Sequence, residues 1–145
     1  MEIYTIGFTK KSAEQFFETL KKNKIKRLID VRLRNSSQLA GFTKTPDLQY
    51  FLMKLCKIEY YYEPLLAPGS EMLDELKKKK GDWRVFEELF LNLMNERKIE
   101  QAIKPALFAK RSVLLCSEAA ADHCHRRLIL DYLQSCWGVI TAIHL

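Results

Sequence analysis

No apolar run in this sequence approaches the roughly 18–20 residues that a membrane-spanning helix needs. The opening Met1-Glu2-Ile3-Tyr4 has neither the basic stretch nor the apolar core of a secretory leader. These two absences predict a soluble, cytoplasmic protein with no membrane partner. Five Gly and four Pro are too few for a collagen-like or linker-dominated chain. Nucleotide-binding loops are missing as well: there is no Gly-x-Gly-x-x-Gly and no Gly-x4-Gly-Lys-Ser/Thr. The His-Glu-x-x-His zinc motif and the Cys-x-x-Cys redox motif are also absent. Position 122, six residues after Cys116, is Asp rather than the Arg of a cysteine phosphatase loop.

What the chain does have is 48% hydrophobic and 29% charged residues in 145 positions, which suits one folded domain spanning 1–145. A chain of this length builds its core without disulfide staples, and a reducing compartment keeps thiols free, so Cys56, Cys116, Cys124 and Cys136 are expected as free thiols. Cys56 and Cys136 lie in helix-like apolar stretches and are expected in the core. The net charge of +6 is uneven. Residues 1–80 carry sixteen Lys/Arg against ten Asp/Glu, and residues 81–145 carry eight of each. Lys21, Lys22, Lys24, Lys26, Arg27, Arg32 and Arg34 form the densest group, opposed only by Asp30. This group is either a solvated surface or a basic face for phosphate or nucleic acid. The Lys77–Lys80 run reads as a solvated surface.

Short β-rich runs at 3–6, 27–31, 58–62, 112–116 and 138–143 alternate with helical patterns. Ser12, followed by Glu14 and Gln15, marks one helix start, and Asn23 its stop. Thr45 with Pro46 marks a second helix through about Cys56, and Asp82 a third whose apolar face runs through Val85, Phe86, Leu89, Phe90, Leu93 and Met94. Asp122 is expected to cap the last helix. The alternation predicts an α/β fold, a mostly parallel sheet of about five strands flanked by helices. Ligands of such sheets sit outside the carboxyl ends of the strands. That rule selects Gly7, Phe8, Asp30, Arg32, Glu63, Cys116 and Glu118. Tyr60, Tyr61 and Tyr62 alternate faces as a strand, which favours core plus rim over base stacking.

The segment Leu114–Arg127 carries the densest chemistry. A strand ends at Cys116, and His123, Cys124 and His125 fall in the first turn of the next helix, where amide hydrogens and the helix dipole favour anions. Three readings stand. In one, Cys124 or Cys116 is a nucleophile, His125 a base, and Arg126 or Arg32 an anion holder. In another, Cys116, Cys124 and a histidine bind zinc, although ligands at 123, 124 and 125 are too close in sequence to converge easily on one ion. In the last, both thiols are buried packing groups and His125 makes a structural hydrogen bond. Asp30 and Arg32, two apart on a strand, point the same way. They form either an ion pair or an acid/base and anion clamp.

Leu114-Leu115-Cys116-Ser117-Glu118 followed by Cys124-His125-Arg126 resembles the signature of the domain of unknown function 488 family. Tyr4-Thr5-Ile6-Gly7, Leu28-Ile29-Asp30-Val31-Arg32, Gly41-Phe42 and Ile58-Glu59-Tyr60 resemble its other segments in order. The resemblance implies a compact α/β domain with its motif residues at one site, and supplies no reaction. Carried over by position, the candidates are Gly7, Asp30, Arg32, Cys116, Glu118, Cys124, His125 and Arg126. The sequence departs from the pattern at Phe8, where the family usually has His, and residues 33–39 keep only Arg34 of an expected Pro/Arg-rich loop.

The expectation is an enzyme acting on an anionic, phosphate-bearing substrate. Cys124 and His125 would be the reactive pair, with Cys116 beside them and Asp30 as auxiliary acid/base. Arg32, Arg126, Gly7 and Glu118 would contact substrate. No cofactor is assigned, and zinc is the alternative. The competing function is a nucleic-acid-binding or accessory domain that uses the Lys21–Arg34 surface, with the cysteine segment structural.

Overall fold

The computed structural model describes residues 1–36, 41–78, 82–117 and 124–145. Glu118, Asp122 and His123 therefore lie outside the described residues, as do Lys79 and Lys80 and positions 37–40 of the Arg34 loop.

Five strands form: β1 Glu2–Gly7, β2 Arg27–Asp30, β3 Glu59–Tyr62, β4 Ser112–Cys116 and β5 Thr141–His144. All pairings are parallel, in the order β3-β2-β4-β1-β5. The α/β fold expected from the alternation is the fold found.

Helix α1 (Ala13–Lys22) starts where the sequence says it should. Ser12 accepts from the Gln15 amide while the Gln15 side chain accepts from the Ser12 amide, a reciprocal cap. Asp82 caps α4 (Trp83–Glu96; α3 is Ser70–Lys78) by accepting from Arg84 N. The stripe that α4 buries is Phe86, Phe90 and Met94; Val85 and Leu89 are exposed, because the helix turns them past the sheet. Helix α2 (Asp47–Phe51) continues as a π turn over Leu52–Cys56. Thr45 does not cap it, since its hydroxyl donates to the Tyr60 oxygen instead. A one-turn α5 (Ile99–Ala102) precedes β4, and α6 (His125–Trp137) follows it. Cys56 is half-buried. Cys136 is exposed rather than in the core, because Leu133 and Trp137 carry the packed stripe of α6 past it.

Strand side chains alternate between two cores. Ile3, Ile29 and Leu114 face α4 and α6, against Phe86, Phe90, Met94, Leu128 and Leu133. Tyr4, Ile6, Leu28, Val113 and Leu115 face α1 and α2, against Phe16, Phe17, Leu20, Leu48 and Leu52. Helix α1 leaves β1 across one face toward β2, and α6 leaves β4 across the other toward β5. The two neighbouring strands thus send their connections in opposite directions. Their carboxyl ends form the topological switch point where such sheets open a crevice.

Candidate functional site

The switch point brings Gly7 level with Cys116, and Thr9 reaches across to the Ser117 carbonyl through both its amide and its hydroxyl. Cys116 shares the parity of Leu114, so its side chain belongs to the α4/α6 face. Cys124 is the N-cap of α6, with an extended backbone (φ −136°, ψ 140°), and His125 is the first helical residue. That change of backbone lets two adjacent residues aim at one point. Cys116 Sγ, Cys124 Sγ and His125 Nδ1 all lie within 4.8 Å of one another, and all three residues are buried. The two sulfurs are joined as a disulfide, so the expectation of free thiols fails at this pair. The end of β4 and the start of α6 are packed together, which brings two residues eight positions apart into bonding range.

His125 has a fixed proton. Its Nε2 lies 2.8 Å from the Val31 carbonyl, which can only accept, so Nε2 is the donor. The imidazole is held neutral. Burial pushes its pKa down to about 4, with the Arg126 charge adding to that and the Val31 bond and Asp30 opposing it. A neutral ring protonated on Nε2 leaves a bare lone pair on Nδ1. That atom sits 3.4 Å from Cys116 Sγ.

The depressed pKa has a measurable consequence for the disulfide-closed protein. The folded state keeps His125 neutral to about pH 4, whereas the unfolded chain takes up the proton near 6.5. The unfolded state therefore binds more protons between those values. Stability contributed above pH 6.5 is lost as pH falls through this window, by roughly 3 kcal/mol in total. Urea unfolding at pH 7 and pH 4.5 should show a larger loss for the wild type than for His125→Asn. Equal losses would contradict the assignment.

Asp30 lies on the other face. It shares the parity of Leu28 and is fully buried, as Arg32 nearly is. The structure forms the ion pair anticipated as one of two options. Asp30 Oδ1 accepts from Arg32 N (3.1 Å) and Nε (2.9 Å), and Oδ2 accepts from Arg32 Nη2 (2.9 Å) and Tyr60 Oη (2.6 Å). Arg32 Nη2 also donates to the Thr43 carbonyl, and its guanidinium lies 5.5 Å from the Phe8 ring centroid. Phe8 is thus a buried packing partner of Arg32. Burial, followed by the Asp30 charge, pushes the Tyr60 pKa up to about 12, so its hydroxyl remains a donor.

The described candidates therefore lie at the carboxyl ends of the strands as two half-sites on opposite faces, not as the single cluster expected. Val31 joins them: it sits between Asp30 and Arg32 in the chain, and its carbonyl holds His125.

A family model described as "Domain of unknown function DUF488" matches residues 12–133. The chain belongs to the DUF488 family. Neither a curated protein nor a solved structure was found to match it.

In this DUF488 chain Lys11 lies near these candidates and was passed over by sequence reasoning, whereas Arg126 and Glu63 were among the residues it selected. Lys11 Nζ donates to the Gly7 carbonyl at 2.8 Å, and burial together with the nearby Arg126 charge lowers the Lys11 pKa. Arg126 is fully buried in the first turn of α6. Glu63 is buried just past β3 and accepts from the Leu65 amide. The signal for Lys11 was its place four residues beyond a strand-ending glycine. The Lys21–Arg34 group is divided by β2, with its lysines before the strand and Arg32 and Arg34 after it. Arg27 is paired with Glu59 and Arg34 with Asp74. Among the described residues, no helix is long and apolar enough to cross a membrane.

Proposed function

We propose that this DUF488 protein is an enzyme acting on an anionic, phosphate-bearing substrate, with its reaction centre at Cys116, Cys124 and His125. One observation carries the reading. The His125 lone pair is aimed at a buried sulfur by a tautomer that the Val31 carbonyl fixes. A packing histidine needs one satisfied nitrogen; here the second nitrogen is directed at the Cys116 sulfur. Charge supports the substrate class: among the described residues at this end of the sheet, Arg32 is offset by Asp30, and Lys11 and Arg126 then stand against Glu63.

The roles then divide. His125 Nδ1 accepts a proton or polarises a sulfur. Arg126 and Lys11 offset substrate charge. Asp30 and Arg32 act as positioning residues, because their pairing holds the backbone on either side of Val31.

The test is turnover of a panel of sugar phosphates and nucleotides by the reduced full-length protein. General acid/base action is worth about 10²–10⁴-fold, so His125→Asn should cut turnover of the accepted substrate at least about 100-fold. Lys24→Glu with Lys26→Glu should leave it unchanged. The reading is overturned if no member of the panel is turned over, or if the double lysine variant abolishes nucleic-acid binding that Cys124→Ser leaves intact. The latter result establishes the accessory-domain function.

A further inference from the structure

We propose that, once the Cys116–Cys124 bond is reduced, the two sulfurs and His125 Nδ1 form a three-ligand zinc site at the carboxyl end of β4. The inference rests on the proposed reaction centre for its purpose, but not for its occupancy.

Three observations support it. The first is convergence: among the described residues these are the side chains whose donor atoms gather within 4.8 Å with the composition zinc takes, two thiolates and an imidazole. The second is spacing. Zinc bonds of ~2.3 Å to sulfur and ~2.05 Å to nitrogen at the tetrahedral angle place the two ligand atoms about 3.6 Å apart. Cys116 Sγ and His125 Nδ1 stand at 3.4 Å. The third is orientation. A ligating histidine usually donates its other ring N–H to a carboxylate or a backbone carbonyl, which fixes the tautomer and turns the free lone pair to the metal. Val31 supplies that carbonyl at 2.8 Å.

The sequence objection, that neighbouring positions cannot converge on one ion, is met by the extended backbone at Cys124 before the helical His125. Three protein ligands leave a fourth position for water or a substrate oxygen, the pattern of catalytic rather than structural zinc. A metal there would polarise the phosphate-bearing substrate of the proposed reaction, and would take the place of proton transfer at Nδ1, whose lone pair it occupies.

The chemistry balances as follows. A phosphine reductant takes the oxygen of one water and becomes its oxide. Its two electrons cleave the S–S bond, and each sulfur keeps one proton. Zn²⁺ then displaces both protons to solvent, and the sulfurs part to about 3.8 Å, the separation set by a tetrahedral ion.

The experiment uses full-length protein, reduced with a phosphine under argon, freed of reductant and titrated with Zn²⁺ against a chromophoric chelator. One zinc per chain is expected. Cys116→Ser and Cys124→Ser should each weaken binding at least about 100-fold, since even outer-shell changes cost 10–100-fold. Cys56→Ser with Cys136→Ser should leave it unchanged. Loading the reduced wild type with Co²⁺ keeps the test independent of whether the variants fold, and should give tetrahedral ligand-field bands with thiolate-to-cobalt charge transfer. No stoichiometric zinc, undiminished affinity in Cys116→Ser, weak octahedral cobalt bands, or equal binding by the oxidised protein would each overturn the site. Turnover of the phosphate panel is read separately, so the zinc site and the proposed reaction can fail independently.

Discussion

Asp30→Asn should destabilise the protein by about 3–5 kcal/mol, lowering its melting temperature by roughly 10–15 °C. The substitution keeps the shape of the side chain and removes its charge. Arg32 is then left buried beside a neutral amide, an uncompensated cation in a place water does not reach. The amide also presents two donors where Asp30 accepts four hydrogen bonds, from Arg32 N, Nε and Nη2 and from Tyr60. The cost lies in breaking the pair rather than in lacking it. Replacing the whole cluster with apolar groups, as Asp30→Leu with Arg32→Met and Tyr60→Phe, should recover most of the loss. Differential scanning calorimetry of wild type, single and triple variants tests this. A single variant within 1 kcal/mol of wild type would show that the pair contributes little. A triple variant that regains stability but not zinc affinity would support the positioning role given to Asp30 and Arg32.

The strands were legible because each is a short apolar run with a polar or turn-forming stop. For β4 the expected and observed ends coincide at Ser112 and Cys116. Helix starts were legible where the cap is local, as at Ser12–Gln15 and Asp82. Thr45 shows the limit: its hydroxyl was taken by Tyr60, fifteen positions away, and no local pattern announces that competitor. The site was legible by residue type but not by face. Parity fixes the face of each side chain only once the strand order β2-β4-β1 is known, and that order depends on crossovers the sequence does not encode locally. Hence Cys116 and Asp30 could be assigned to one end of the sheet but not to opposite faces. The His125 tautomer depends on a carbonyl 94 positions away. Lys11 reaches Gly7 through a turn in which Lys10 adopts a left-handed backbone (φ 62°), a conformation lysine does not advertise. Cys116 and Cys124 were expected as thiols from chain length and compartment; their pairing follows from how tightly the α6 start packs on the β4 end.

Phe90 links stability to the same imidazole. It is fully buried on α4, lies nearly parallel to Phe86 at 6.0 Å, and meets the His125 ring at 5.5 Å and 62°. The edge-to-face contact supports the ring on one side while the Val31 carbonyl holds Nε2. Phe90→Ala should cost about 3–5 kcal/mol, from lost burial and from the cavity left between α4 and α6. Phe90→Leu fills most of that space and should cost about half as much. Their effects on His125 should also separate. The alanine variant frees the ring to rotate away from Val31, so the nitrogen resonances of His125 should shift from a single Nε2-protonated form toward a tautomer mixture. The leucine variant should keep the single form. Chemical denaturation gives the stability change and nitrogen-detected NMR the tautomer. If Phe90→Ala lost stability but kept one tautomer, packing by α4 would play no part in aiming Nδ1, and the Val31 carbonyl would hold the ring alone.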